Sequence, residues 1–171
     1  MLVRQHYPDV LIGDIEPYPA FSALQLVQFI DALQARLKQL HVRGLDFFRL
    51  DADWMHFVVG HPGSWKQVKD LETECRQRGI PFGLIYWAAD YPQMSHMKLA
   101  DDSTWYVAVM QQGYDYAAVG GAPDAYVIES WVGAPVQTLP ETAEWSFTRS
   151  VLDFSRKFIN TDKSELSHVY Q

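Results

Sequence analysis

The sequence predicts an α/β protein built from four consecutive strand–helix units, and three observations carry that prediction. Apolar residues switch repeatedly between a two-residue and a 3.6-residue period along the chain. Strand-like runs begin near Val10, Leu45, Pro81 and Ala125, and each is followed by a helical run. With 171 residues, 48% of them hydrophobic, the chain is long enough to bury one sizeable core. One domain over 1–171 is therefore expected, with a polar tail from about residue 160.

The first strand reads Val10-Leu11-Ile12-Gly13-Asp14-Ile15-Glu16. Pro17 and Pro19 cannot extend a central ladder, so it is expected to stop at Glu16. Side chains alternate along a strand, which puts Ile12, Asp14 and Glu16 on one face. Ser22 and Gln25 form a capping box that opens a helix through Leu24, Val27, Ile30, Leu33, Leu37 and Leu40, ending before Gly44. The second strand, from Leu45 to Trp54, puts Phe48, Leu50 and Ala52 on one face and Arg49, Asp51 and Asp53 on the other.

A loop from His56 to Gly63 comes next, and Ser64 with Gln67 caps a helix through Val68, Leu71 and Cys75. Pro81 to Asp90 is the third strand, and its loop carries Pro92, Met94, His96 and Met97. A third helix begins near Asp102 or Ser103 and holds Trp105, Val109 and Tyr116. Ala125 to Trp131 is the fourth strand. Thr138-Leu139-Pro140-Glu141 then reads as the box capping a last helix with Phe147, Val151, Phe154 and Phe158 on one face.

Strand–helix alternation implies parallel strands joined by right-handed crossovers. A doubly wound sheet announces itself with a glycine-rich loop after its first strand, where this chain has Glu16-Pro17-Tyr18-Pro19. Gly120-Gly121 precedes a strand instead of following one, so a phosphate loop is a poor reading. Three of the four strands end in acids, Asp14/Glu16, Asp51/Asp53 and Glu129, as when strand ends converge on one pocket of a barrel. A closed barrel needs eight strands. The expected architecture is thus half of a (β/α)8 TIM barrel, the alternative being a small open parallel sheet with flanking helices.

Composition narrows the function. A net charge of −7 argues against a nucleic-acid backbone as ligand. No apolar run is long enough to span a membrane. The single Cys75 excludes an internal disulfide and a cysteine zinc cage. The N-terminus has no signal-peptide pattern, which suggests the cytoplasm if it is native and leaves secretion open if the chain is a fragment. No serine-nucleophile motif occurs, and His56 and His61 lack a zinc-protease context.

The run Glu16-Pro17-Tyr18-Pro19, then Leu50-Asp51-Ala52-Asp53-Trp54, then Tyr86-Trp87, then Glu129-Ser130-Trp131 resembles the strand ends of TIM-barrel glycoside hydrolases. Carboxylates and sugar-stacking aromatics alternate around the pocket of those enzymes. The resemblance is to the C-terminal half of such a barrel, over residues 10 to about 158, and assigns no single family. It implies a carbohydrate substrate, and either a missing N-terminal half-barrel or a homodimer as partner.

Glycoside hydrolysis needs two carboxyl groups flanking the scissile bond, and Glu16 with Glu129 is the expected pair. Asp51 and Asp53 would orient the sugar, and Trp54, Tyr86, Trp87 and Trp131 would line its site. The same acids allow a second reading, a metal-dependent isomerase or lyase in which Glu16, Asp51, Asp53 and Glu129 hold Mg²⁺ or Mn²⁺. The hydrolase reading needs no cofactor. A third is a non-catalytic glycan-binding or assembly module. The structural alternative for each acid is an ion pair, and Arg49 is the expected partner of Asp14.

Overall fold

The computed structural model of the chain describes residues 2–58, 63–88 and 101–159, and of Leu2, Phe57 and Val58 only the backbone. His61, Asp90, the segment with Pro92, Met94, His96 and Met97, and the tail from Asn160 lie outside the described residues. The strands are β1 (Asp14–Tyr18), β2 (Phe48–Ala52), β3 (Phe82–Tyr86) and β4 (Ala125–Ile128). The helices are α1 (Leu2–His6), α2 (Ala23–Gln39), α3 (Trp54–Val58), α4 (Trp65–Gln77), α5 (Asp102–Ala118) and α6 (Phe147–Phe158). They form an open, four-stranded, all-parallel sheet in the order β1-β2-β3-β4.

One hydrophobic core joins the sheet to the helices. Phe48, Leu50 and Ala52 of β2 and Phe82, Leu84 and Tyr86 of β3 meet Leu26 and Ile30 of α2, Val68, Leu71 and Cys75 of α4, Trp105 and Val109 of α5, and Phe154 of α6. All four long helices therefore cover the same face of the sheet, α2 packing on α4, α4 on α5 and α5 on α6. Ile85, on the other face of β3, is buried yet lies outside that core.

β1 differs from its expected form. It starts at Asp14, because the chain before it is held by the Asp46 side chain, whose Oδ2 accepts from the Ile12 N–H at 2.7 Å. It then runs through Pro17 to Tyr18. The Asp14 N–H bonds the Phe47 carbonyl and the Tyr18 carbonyl accepts from Asp53, so the even-numbered residues face β2. Pro17 points its missing N–H at the open edge, where no ladder bond is lost. Tyr18 is buried, and its hydroxyl ties β1 to the start of α4 by accepting from the Ser64 N–H at 2.8 Å and donating to Gln67 Oε1. Gln67 is thereby drawn away from the reciprocal half of the capping box expected at Ser64, whose Oγ still caps the Gln67 N–H.

The capping box at Ser22 is complete. Thr138 caps nothing: α6 starts at Phe147 with Ser146 as its cap, and Thr138 instead accepts through its carbonyl from Thr148. Two short helices, α1 and α3, were not legible, and α3 takes up His56 from the expected loop. A charge buried on α4 also went unforeseen. Glu72 has no exposed surface, and it is satisfied by Lys69 and Arg76, each at 2.7 Å, by the Tyr116 hydroxyl and by the Ala122 N–H at 3.0 Å.

Candidate functional site

The face of the sheet opposite the helices carries the polar groups. Parallel partners point the same way, so register defines rows across it. Ile15, Arg49, Gly83 and Ala125 make one row, and Pro17, Asp51, Ile85 and Val127 make the next. Trp87 follows β3 and Glu129 follows β4, whose ladder continues with the Glu129 N–H on the Tyr86 carbonyl at 3.2 Å.

Two hydrogen-bonded pairs, Trp87 with Asp51 and Trp131 with Glu129, stand at the C-terminal end of this face. The Trp87 indole N–H donates to Asp51 Oδ1 at 2.5 Å. Burial pushes the Asp51 carboxyl up from its ordinary value; the Trp87 hydrogen bond opposes this, and the negative charges of Glu129 and Asp53 add to the rise. The Trp131 indole N–H donates to Glu129 Oε1 at 2.8 Å, which leaves its ring 68% exposed. Ser130 fastens the turn that carries this pair by donating to the Ala134 carbonyl. From α5, the buried Gln112 donates to the Trp87 carbonyl at 2.7 Å and sets the main chain from behind.

The other expected site residues go elsewhere. Asp53 caps α3, its Oδ1 accepting from the His56 N–H at 3.1 Å. Trp54 opens that helix and turns into the core at 6% exposure. Tyr86 has the opposite parity to Trp87, so it enters the core, stacks on Tyr126 and meets Phe154. Neither aromatic offers a face to a ligand on the open side, which corrects the expectation that they line the site. Glu16 registers with Leu50, on the face that β2 turns to the helices, and so the structure does not bring it to Glu129. Asp14 is its neighbour on that face. Burial, then the charge and hydrogen bond of Asp14, push the Glu16 carboxyl up, and burial also raises Asp14.

Arg49 does not pair with Asp14. Its guanidinium stands 4.7 Å from the centre of the Phe47 ring, and among the described residues it enters no ion pair. Its stem crosses Gly83, where an added Cβ would lie 2.9 Å from Arg49 Cγ. The signal that would have revealed this is the phase of β1 against β2. The acids of β1 hide that phase, because they break the usual alternation of apolar and polar residues.

Among the described residues no group of three His, Cys, Asp or Glu side chains is placed to hold a metal ion. No helix there is long and apolar enough to cross a membrane. Burial pushes the Cys75 thiol up to about 12, which makes it a packing group and not a nucleophile. Comparison with protein-family models, with curated proteins and with solved structures finds no match to this chain.

Proposed function

We propose that the chain is a carbohydrate-active hydrolase of glycoside hydrolase type, built as half of a (β/α)8 barrel. The observation that carries the reading is the placing of the Asp51–Trp87 and Glu129–Trp131 pairs at one end of the face opposite the helices, with the charge of Glu129 acting on Asp51. Two carboxyl groups in one electrostatic environment, with the pKa of one pushed up, suit a proton donor and a base or nucleophile. Asp51 takes the first role, because burial and the neighbouring negative charges raise its carboxyl pKa, the direction that favours a proton donor. Glu129 takes the second. The exposed ring of Trp131 gives a sugar a face to stack on, next to the carboxylate that its own N–H orients.

The half-barrel reading is supported by the winding. Sequential strand order with every long helix on one face is what a barrel wall has, and a doubly wound sheet divides its helices between two faces. Residues Glu16, Trp54 and Tyr86 then have structural roles.

A panel of glycosides and polysaccharides, assayed for new reducing ends, tests the reading. Hydrolysis by the unaltered chain should fall by about 10²- to 10⁴-fold in Asp51→Asn and in Glu129→Gln, and persist in Glu16→Gln. Sugar that is bound and never cleaved would make the chain a binding module. Hydrolysis indifferent to both substitutions would remove the proposed acids from the mechanism.

A further inference from the structure

We infer that the substrate of this site is an acidic sugar, and that Arg49 selects it by binding the sugar carboxylate. The inference rests on the carbohydrate reading above and names the substrate class.

Arg49 is one of three arginines, with Arg36 and Arg156, that enter no ion pair with a described acid, and of the three it alone lies on a strand. Acids outnumber Lys and Arg by 21 to 14, and Arg4, Arg43, Arg76, Arg78 and Arg149 each sit within ion-pair distance of a carboxylate. Arg49 is two residues from Asp51, on the same strand and face, and it pairs with none of the described acids. Its position is nonetheless defined. The Phe47 ring lies beside the guanidinium, and Gly83 leaves the space that its stem occupies. A guanidinium stacked on an aromatic ring keeps its in-plane N–H donors free. Those donors form a fork that matches a carboxylate in two parallel hydrogen bonds.

The neighbouring residues suit a sugar ring. In the row of Arg49 are Ile15, Gly83 and Ala125, and in the next row Asp51 stands between Pro17 and Ile85, with Val127 beyond Ile85. Ile85 is covered and the Arg49 stem lies over Gly83, so the apolar surface left beside Arg49 and the acids is that of the exposed Ile15 and Pro17 and the half-buried Ala125 and Val127. Arg49 and Asp51 are two residues apart on one strand, about 6.5 Å along the backbone, and a hexuronate carries its carboxylate and its glycosidic oxygen on a single ring. A uronate lying along β2 therefore meets Arg49 with its carboxylate while its glycosidic bond meets the acids. A neutral sugar leaves the guanidinium without a partner. A uronate turned the other way sets its carboxylate against Asp51 and Glu129, so the charges also fix the orientation.

The test is calorimetric binding of uronate oligosaccharides, each paired with its carboxyl-reduced counterpart, which keeps ring and linkage and loses the charge. The unaltered chain should bind at least one uronate about tenfold or more tightly than its reduced form, as expected for a bidentate Arg–carboxylate contact. Arg49→Gln should bring the two affinities together, and Arg49→Lys should recover only part of the difference. Equal affinity of the unaltered chain for both members of every pair overturns the inference and leaves the carbohydrate reading standing. So does a preference that persists in Arg49→Gln. Binding of neither member overturns both.

Discussion

Replacing Glu72 by alanine is the sharpest test of how the helix layer is held together. The carboxylate is fully buried among four donors, and they do not suffer equally when it is removed. Lys69 and Arg76 have side chains 24% and 43% exposed, so both can turn to water. The Tyr116 hydroxyl and the Ala122 N–H cannot follow, because Tyr116 is 1% exposed and Ala122 is held in the turn after α5. One orphaned buried donor and one half-buried donor, at about 1–3 kcal/mol each, cost about 2–6 kcal/mol together. That range brackets the about 3–5 kcal/mol lost when one partner of a buried ion pair is removed. In a chain of this size that lowers Tm by roughly 10 °C. Urea unfolding followed by tryptophan fluorescence should show a lower midpoint at unchanged slope. Tyr116→Phe, which leaves Glu72 its other three partners, should cost about 1–2 kcal/mol, and the double variant should lose less than the sum. A loss below about 1 kcal/mol for Glu72→Ala would refute the claim that these donors depend on it.

Three further outcomes follow from the acids and the edges. Glu16 and Asp14 both have carboxyls raised on folding, so they favour the fold while protonated and oppose it as pH rises through their native values. Glu16→Gln mimics the protonated form; thermal melts should show it more stable than the parent at pH 7, with the gain disappearing near pH 4, and a variant destabilised at pH 7 would sink the argument. The hydrolysis of the proposed substrate should have an alkaline limb set by Asp51, above the ordinary aspartate value of 3.8, because activity needs its proton. Trp87→Phe removes the one hydrogen bond that lowers this carboxyl, so the limb should move to higher pH, and a limb that stays in place would detach Asp51 from the acid role. Among the described residues β1 and β4 each have one unpaired edge, and two copies of the chain can pair through them. Light scattering should then give twice the 19.7 kDa chain mass, and a monodisperse monomer would refute the pairing.

Much of the fold was legible because period and punctuation agree. Ser22 with Gln25, and the apolar spacing from Leu24 to Leu40, locate α2 without tertiary information. β2 was legible for the same reason, with Phe48, Leu50 and Ala52 on one side and Arg49 and Asp51 on the other. β1 was misread because a proline means different things in a central and an edge strand, and edge position is a tertiary property. The start of α6 was misread because the Thr138 pattern satisfies a local rule, while Ser146 has the geometry to cap. At the site, Asp51, Trp87, Glu129 and Trp131 could be picked from strand ends. Parity removed Tyr86, and the phase of β1 removed Glu16. The position of Arg49 depends on Phe47 and Gly83, whose contribution is spatial.

The strict alternation in β2 means that the residues supporting the fold and the residues facing the proposed ligand are interleaved one by one along five positions. Substitution can therefore change one set and spare the other. Asp51 and Arg49 can change without disturbing the packing of the helices, since neither is part of the core those helices form with the sheet. Insertion or deletion has no such freedom. Loss of one residue within β2 would turn Leu50 outward and drive a carboxylate into the core beside Leu26 and Val68. This strand can therefore acquire a new specificity through point changes at constant length, and variation in length is confined to the loops that follow it.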